Sequence, residues 1–416
     1  MVFVVSMQPE PKTPHTGAIL LGGAHGALAL ARNFGRNGIP VVVVTDDHPL
    51  PKFSRYVQQR FDWPGANAAE TPRWLVQLAE REGFRDWLLV PCGDGEAKMI
   101  AANRELLRST FRVESCDWEK LRMLCDKQML AQSATAAGVA APRAYRLRSE
   151  ADATSLDITF PVVLKPAMRT ARNAFTRDKA WQADSREELI ELYLEAAKLV
   201  GYENVVVQEL IPGGGEAQLS YAALWHQGKP VAEITARRTR QYPIDFSYTS
   251  TFVEVVANDK VRLAANALLA TIAFEGLVEV EFKFDARDQQ YKVLDVNPRA
   301  WSWLALCEPA GLDLAVMMSS VAGGAAVTTA KAAPGHAWMH AARDVVATTQ
   351  LMAHERIGLA DYFGSLRQKL VFASFAWDDP LPGLIELPLT VWRVGGRAIA
   401  ALFRRGEATE ASPSAR

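Results

Sequence analysis

The segment LVEVEFKFDARDQQYKVLDVNPR, residues 277–299, contains two runs in which polar and apolar side chains alternate. This period of two predicts two β-strands, each half buried. Glu281 stands between two apolar residues, where a lone acid is costly to bury unless it meets a cation. Asp295 and Asn297 are two residues apart and therefore face the same side of a strand. Together the three side chains predict a site of hard oxygen ligands, which suits Mg²⁺ bound with phosphate.

Basic residues that could bind such a phosphate accompany these strands. Arg299 follows Asn297 at a spacing of two and could hold an oxyanion with two parallel hydrogen bonds. Lys165 lies in the apolar run FPVVLKP, residues 160–166. Lysine is rarely buried without a partner, so its ammonium is predicted to face a nucleotide phosphate or a structural glutamate. Alone, LDVNPR would fit a surface turn before proline, but the company of Glu281 and Lys165 favours the site.

The N-terminal sequence predicts an α/β domain. Residues 17–47 read GAILLGGAHGALALARNFGRNGIPVVVVTDD, which is typical of a βαβ unit with a glycine-rich turn. The turn could place an anion at a helix N-terminus, although GGAHGA is not a full dinucleotide motif. A second predicted strand, residues 87–90, ends in PCGDGE, so Asp94 and Glu96 are either substrate contacts or helix-cap carboxylates.

Further along the chain the pattern changes. Near residue 115 a helical segment, residues 118–138, follows the α/β domain, and from 158 to 300 short strands and hairpins alternate with helices, which predicts an α+β fold. The expected organisation is a flexible leader (1–16), an α/β domain (17–115), an α+β domain (116–330) and a C-terminal helical extension (331–416) with a disordered tail. The apolar run 381–406 is either an interfacial helix or, preferably, packed against the main body.

Composition excludes several classes of protein. The 416 residues include 46 Lys+Arg and 47 Asp+Glu, so the net charge of −1 provides no field for binding nucleic acid or an anionic membrane. The cysteines at 92, 116, 125 and 307 form no CxxC pair and no cluster with histidine. Neither a disulfide framework nor a zinc site is therefore expected, and a cytoplasmic location is predicted. No segment is predicted to be a stable membrane span.

Five short motifs, in this order, resemble the ATP-grasp superfamily, in particular carboxylate–amine ligases akin to D-aspartate ligase, biotin carboxylase and the ATP-binding lobes of carbamoyl phosphate synthetase. They are DK (126–127), FPVVLKP (160–166), VQELIPGGGE (207–216), EVEFKFD (279–285) and LDVNPR (294–299). The resemblance covers residues 17–325. It implies a pre-ATP-grasp α/β domain followed by an α+β ATP-grasp fold, with a small lid subdomain (about 125–210) and a central part (about 211–330) that enclose ATP.

The same resemblance implies a role for particular residues. Lysines would contact the ATP phosphates, a backbone stretch would meet the adenine edge and a glutamate would bind the ribose hydroxyls. Acidic and amide side chains would hold one or two Mg²⁺ (or Mn²⁺) ions, and an arginine would steady the acyl phosphate. The residues so assigned are Lys127 and Lys165 for phosphate, Glu209, Leu210 and Ile211 for adenine, Glu216 for ribose, Glu281, Asp295 and Asn297 for the metal, and Arg299, with Lys165, for catalysis.

Two basic segments have open interpretations. The predicted lid loop PAMRTARNAFTRDKAW, residues 166–181, contains no glycine, so its arginines 169, 172 and 177 either replace backbone contacts to phosphate or belong to a solvated linker. Arg237, Arg238 and Arg240 are predicted to follow a strand. One or two of them, together with Asp94, would bind the substrate, or else the arginines form a solvated edge that prevents sheet pairing.

The predicted function is that of an ATP-dependent carboxylate–amine ligase. A small-molecule carboxylate would form an acyl phosphate, an amine would displace the phosphate, and ADP would be released. The alternative is an ATP-binding regulatory module of the same fold with weak catalysis. A dehydrogenase that uses the N-terminal βαβ unit is disfavoured because it leaves Lys165, Glu281 and Asp295 unexplained. A homodimer is compatible with such a fold.

Overall fold

The computed structural model describes residues 16–46, 48–145, 147–167, 173–177, 180–247 and 249–390. The expected leader up to residue 15, the loop arginines 169 and 172, and the tail beyond residue 390 lie outside the described residues. The strands of the described residues form three sheets. None of the described helices combines the length and the apolar character that crossing a bilayer requires.

The first sheet is parallel and has the strand order β3-β2-β1-β4. Its elements are β1 (Ala18–Leu21), α1 (Ala24–Arg36), β2 (Val41–Val44), β3 (Val57–Phe61), α2 (Thr71–Glu82), β4 (Leu88–Pro91), α3 (Asp94–Ala102) and α4 (Arg104–Arg108). The predicted βαβ unit is confirmed, with β1 and β2 buried on both faces. The chain leaves β1 toward β2, while β4 pairs with the other side of β1. The carboxyl ends of β1 and β4 therefore flank a crevice of the kind in which α/β sheets bind ligands.

Two helices follow, α5 (Trp118–Cys125) and α6 (Lys127–Ala136). The single helical segment predicted over 118–138 is thus interrupted at Asp126. That residue has extended backbone, and its carboxylate accepts hydrogen bonds from the amides of Gln128 (2.9 Å) and Met129 (3.2 Å). An aspartate that caps a new helix in this way competes with continuation of the old one. The break places Lys127 at the first position of α6.

The second sheet is antiparallel, with the order β5-β8-β6-β7. Its elements are β5 (Ala144–Tyr145), α7 (Glu150–Ser155), β6 (Val162–Pro166), α8 (Ala174–Arg177), β7 (Trp181–Ala183), α9 (Arg186–Val200) and β8 (Val205–Glu209). The predicted helix after Ser185 is confirmed, and the Ser185 hydroxyl caps it by accepting from the amide of Glu188 at 3.2 Å. Buried side chains of α9, including Leu189 and Tyr193, pack on this sheet.

The third sheet is the largest, with the order β13-β12-β9-β10-β11-β15-β16 and β14 paired with β10. Its elements are β9 (Gln218–His226), β10 (Lys229–Tyr242), β11 (Thr249–Val255), α10 (Asp259–Ala270), β12 (Gly276–Asp285), β13 (Gln290–Asn297), α11 (Leu314–Ala322), β14 (Ala330–Lys331), β15 (His336–Met339), α12 (Ala341–Ala353), α13 (Leu359–Ser365) and β16 (Lys369–Phe372). The predicted hairpin of β9 and β10 is confirmed: Gln227 and Gly228, with φ of 50° and 71°, form its tight turn.

One expectation about this region is wrong. Residues 331–416 were expected to be a helical extension, but β15 and β16 complete the third sheet, with β15 paired to β11. Four-residue strands give no usable periodicity, and only their pairing with distant residues identifies them. The predicted helix near residue 343 is present as α12.

Candidate functional site

The acidic cluster consists of the predicted metal ligands Glu281, Asp295 and Asn297, and it lies on the hairpin of β12 and β13. Glu281 is opposite Asp295, and Glu279 is opposite Asn297. The register shifts after Glu281, so Leu294 forms a bulge in β13. The side-chain amide of Asn297 donates to Oε1 of Glu281 at 3.3 Å. The strand pairing therefore brings together the three residues that the sequence singled out as a metal site.

Arg238 of β10 is the cation that Glu281 requires. Its side chain is 5% exposed, and Nη2 lies 3.2 Å from Oε1 of Glu281. Nη1 donates to Oε1 of Gln218 at 3.1 Å, which fixes the guanidinium. Burial alone would lower the pKa of Arg238, but the carboxylates of Glu281 and Glu279 raise it. Arg238 therefore carries a permanent positive charge beside the acidic cluster.

Glu279 also belongs to the cluster, although it is not among the residues predicted from the sequence. It is buried, and its Oε1 accepts a hydrogen bond from the indole N–H of Trp303 at 2.8 Å. Burial, followed by the charge of Glu281, raises the pKa of Glu279. The sequence does contain a signal for Glu279, because this residue precedes Glu281 by two positions and so shares its face of the strand.

Arg299 joins this cluster to the first sheet. Its Nε lies 2.6 Å from Oδ1 of Asp94, the first residue of α3, and Nη2 donates to Oδ1 of Asn297 at 3.4 Å. The amide of Ala300 donates to the carbonyl of Pro91 at 3.1 Å, which holds the end of β4 against this segment. Burial would lower the pKa of Arg299, but Asp94 and Glu279 raise it. The candidate substrate contact Asp94 therefore lies beside the candidate catalytic arginine.

Lys127 completes the cluster from the start of α6. Its Nζ lies 3.2 and 3.3 Å from the two carboxylate oxygens of Asp295. The cluster thus combines carboxylate and amide oxygens with ammonium and guanidinium groups. Oxygen donors of this type are those that Mg²⁺ or Mn²⁺ prefers, so the residues present fit such an ion.

A cavity of about 310 Å³ lies between the second and third sheets. Lys165 of β6 enters it from the second sheet, and Lys283 of β12 from the third. The segment from Glu209 to Gly214, which connects the two sheets, forms one wall. Gln218 and Leu294 also line the cavity. Gln218 accepts a hydrogen bond from Arg238, and Leu294 directly precedes Asp295 in the chain. The cavity therefore lies beside the acidic cluster.

Comparisons with known proteins agree with this geometry. Residues 236–330 match the family model described as "Carbamoyl-phosphate synthase L chain, ATP binding domain". The structure is similar to L-amino acid ligase from Bacillus licheniformis (TM-score 0.56, 14% identity, 74% of this chain and 75% of the other). It is also similar to a biotin carboxylase from Campylobacter jejuni (TM-score 0.57, 17% identity, 74% and 72%). The chain has the ATP-grasp fold.

Two further proteins are similar to this chain over most of its length. N5-carboxyaminoimidazole synthetase from Staphylococcus aureus matches with a TM-score of 0.58 and 13% identity over 78% of this chain and 81% of the other. In sequence, the D-aspartate ligase of Enterococcus faecium (strain Aus0004) is 24% identical over 298 residues, which are 68% of this chain and 70% of that protein. The resemblance inferred from the five motifs is confirmed.

Glu209 and Glu216 were expected to contact the nucleotide, Glu209 through its backbone, and the structure shows what their side chains contact. Both oxygens of the Glu209 carboxylate are occupied: Oε1 accepts from Lys292 and from the amide of Arg143, both at 2.9 Å, and Oε2 pairs with Arg287 at 3.1 Å. The amide of Glu209 donates to the carbonyl of Arg143 at 2.9 Å, so any contact of Glu209 with a nucleotide would come from its backbone carbonyl. The carboxylate of Glu216 is exposed and accepts from the amide of Gly214 at 2.8 Å, and Glu216 does not line the cavity.

Of the arginines of β10, the structure brings only Arg238 to the acidic cluster. The expectation that they follow a strand is wrong, because β10 continues to Tyr242. Arg237 lies on the opposite face and approaches Glu254 at 3.8 Å. Arg240 is buried, forms a bidentate pair with Asp344 of α12 (2.9 and 2.8 Å) and lies over the ring of Phe252. Its contacts attach α12 to the sheet.

Proposed function

We propose that this protein is an ATP-dependent ligase that joins a small-molecule carboxylate to an amine. The observation that carries the proposal is that the cavity lined by Lys165 lies beside the cluster of Glu281, Asp295, Arg238 and Arg299. A triphosphate requires a neighbouring cation and a metal site, and this arrangement offers both. The names of its relatives, D-aspartate ligase and L-amino acid ligase, suggest amino acids as the first substrates to try.

The nucleotide would lie between the second sheet, acting as the lid, and the third sheet. The backbone from Glu209 to Ile211 would face adenine; because the amide of Leu210 already donates to the carbonyl of Pro161 (3.1 Å), Ile211 is the better donor. Lys165 and Lys127 would contact the phosphates. Glu281, Asp295 and Asn297, joined by Glu279, would hold Mg²⁺, which would supply positive charge to offset that of the phosphates.

In the proposed reaction a carboxylate oxygen attacks the γ-phosphorus, the bond to ADP breaks and an acyl phosphate forms. The amine nitrogen then attacks the acyl carbon, phosphate leaves and the nitrogen loses a proton. The side chains of the cluster act mainly by orienting the reactants and balancing charge. Arg299 is suited to this role because its guanidinium is fixed by Asp94 and Asn297 at the junction with the first sheet.

A substrate screen with a chemical trap tests the proposal. Purified protein, ATP and Mg²⁺ are incubated with single amino acids and other carboxylic acids, with and without a second amine, and ADP and phosphate are measured. Hydroxylamine should convert the acyl phosphate to a hydroxamate in the presence of the correct carboxylate. If ATP binds in calorimetry but no acid in a broad screen yields ADP or hydroxamate, the protein is an ATP-binding module and the ligase proposal fails.

A further inference from the structure

Two histidines and a glutamate meet at a point that the ATP site does not use. His25 lies in the first turn of α1, His340 precedes α12, and Glu386 belongs to the helical residues 381–390. Nε2 of His25 lies 2.6 Å from Oε1 of Glu386, and Nε2 of His340 lies 3.2 Å from the same oxygen. The ligand atoms of all three residues lie within 4.8 Å of one another. The three side chains are 12%, 5% and 19% exposed in that order, so the group is largely shielded from solvent.

We propose that His25, His340 and Glu386 bind a divalent transition-metal ion, with Zn²⁺ as the preferred ion. Two imidazole nitrogens and one carboxylate oxygen form a donor set that zinc accepts, and they leave a fourth position open. Zinc–ligand bonds of about 2.0–2.2 Å in a tetrahedron separate neighbouring ligand atoms by about 3.4 Å. The 3.2 Å between Nε2 of His340 and Oε1 of Glu386 is close to this spacing. The 2.6 Å between Nε2 of His25 and the same oxygen is shorter, so His25 would have to move back by under 1 Å.

The surroundings orient the carboxylate as a metal ligand requires. The hydroxyl of Ser374 donates to Oε2 of Glu386 at 2.6 Å, so Oε1 is the oxygen that faces both histidines. The ring of His25 meets the rings of His340 and Trp338 edge to face, at centroid distances of 5.0 and 6.2 Å. Hydrogen bonds and packing of this kind around the ligands usually fix ligand geometry in metal sites.

There is room for a fourth ligand. A cavity of about 350 Å³ is lined by His340 and Glu386 together with apolar side chains such as Phe375 and Leu387. Water or a small anion in this cavity could complete a tetrahedron. The site would also be linked mechanically to the ATP site: a Cβ on Gly26 would lie 2.7 Å from the carbonyl of Trp301, so the turn carrying His25 packs directly on the segment after Arg299.

No pattern in the sequence indicates this site. Cysteine spacing predicted no zinc centre. Hundreds of residues separate His25 from His340, and tens of residues separate His340 from Glu386. The competing interpretation is a hydrogen-bonded brace in which the Glu386 carboxylate accepts from both imidazoles and no metal is present. The two interpretations differ in what chelator-treated protein does when zinc is added.

Zinc titration of tag-free, chelator-treated protein separates them, with competition against a chromophoric chelator and a parallel measurement of Tm. We expect about one equivalent to bind and to raise Tm. His25→Ala and Glu386→Gln should each weaken binding by more than about 100-fold, and Ser374→Ala by about 10–100-fold. Because glutamine keeps the size of glutamate and one of its two acceptor oxygens, the Glu386→Gln protein should remain folded in the absence of metal. X-ray absorption of the zinc complex should show two imidazole nitrogens.

Two controls locate the ion. His226→Ala should bind zinc normally, because within the described part of the chain His226 pairs with Glu114 (3.0 Å) and no third potential ligand joins this histidine–glutamate contact. Glu281→Gln should also retain one equivalent, which excludes the ATP site as its location. Zinc that binds equally well to wild type, His25→Ala and Glu386→Gln, or that fails to bind stoichiometrically to wild type, would overturn the proposal in favour of the brace.

Discussion

Replacement of Arg238 by methionine tests whether the acidic cluster depends on a buried charge. The neighbouring residue provides a matched control, since Arg237 lies on the other face of β10. The Arg238 side chain is 5% exposed and reaches Glu281, whereas that of Arg237 is 47% exposed and approaches Glu254 only at 3.8 Å. Methionine keeps much of the aliphatic length of either side chain and removes only the guanidinium.

The expected free energies follow from these exposures. Loss of one partner of a buried ion pair costs about 3–5 kcal/mol, whereas an exposed pair contributes about 0–1 kcal/mol. The loss of unfolding free energy caused by Arg238→Met should lie in the upper part of the range for buried pairs, because Glu279 and Glu281 both interact with this guanidinium. Arg237→Met should be nearly neutral.

The cost of Arg238→Met should also depend on pH. The pKa of Glu279 is already raised above its ordinary value of 4.5 by burial and by Glu281, and Arg238 opposes that rise. Without Arg238 the folded-state pKa rises further. A carboxyl group with a raised folded-state pKa contributes stability below pH 4.5, and this contribution is lost as the pH rises through the folded-state pKa. The variant should therefore lose more stability relative to wild type at pH 8 than at pH 5.

Urea unfolding of the three proteins at pH 5, 6.5 and 8 measures these effects. Tryptophan fluorescence is a suitable probe because Trp303 donates directly to Glu279. A loss below about 1 kcal/mol for Arg238→Met, or a loss equal to that of Arg237→Met, would refute the idea that a buried charge sustains the cluster. A loss that does not change with pH would refute the role given to Glu279.

Other perturbations give equally definite outcomes. Glu281→Gln should reduce ADP release by about 10²–10³-fold in a coupled assay, while Glu254→Gln, which alters an arginine-paired acid outside the cluster, should leave it unchanged. Burial, with the charges of Asp94 and Asp46, raises the pKa of Glu96 to about 7, so wild type should lose stability of order 2–3 kcal/mol as the pH rises from 5 to 8. Glu96→Gln should abolish this loss in unfolding experiments. An unchanged dependence of the unfolding free energy on pH in the variant would contradict the prediction. Arg240→Met should cost about 3–5 kcal/mol in urea unfolding, and adding Asp344→Leu should recover most of it; additive losses would show that the pair is not coupled.

The sequence predicted those parts of the structure that depend on local patterns. Period-two alternation located β12 and β13, and the spacing of Asp295 and Asn297 identified half of the acidic cluster. The glycine-rich turn after β1 indicated the parallel sheet. In each case the information lies within about ten neighbouring residues, which is the range over which backbone preference and side-chain facing can be read.

The remainder depends on contacts between distant residues. Local sequence cannot show that Arg238 meets Glu281 while Arg240 meets Asp344, because a bulge and a neighbouring helix decide which way each side chain turns. It also cannot show that Lys292 and Arg287 occupy the Glu209 carboxylate. The strands β15 and β16 were missed for the same reason, since they are too short to show a period and are defined by the strands beside them.

The pairing of charges in the cluster suggests why it tolerates so many ionised groups before a ligand arrives. Asp295 has Lys127, Glu281 has Arg238, and Asp94 has Arg299, so most carboxylates are neutralised by a neighbouring cation. On the proposed function, Asp295 would help to hold the divalent ion, and the ammonium of Lys127 would then face the phosphates. The same cation would then stabilise the fold in the empty state and the nucleotide in the bound state. Such an exchange gives these charges an opposite neighbour in both states, which a low-dielectric site requires.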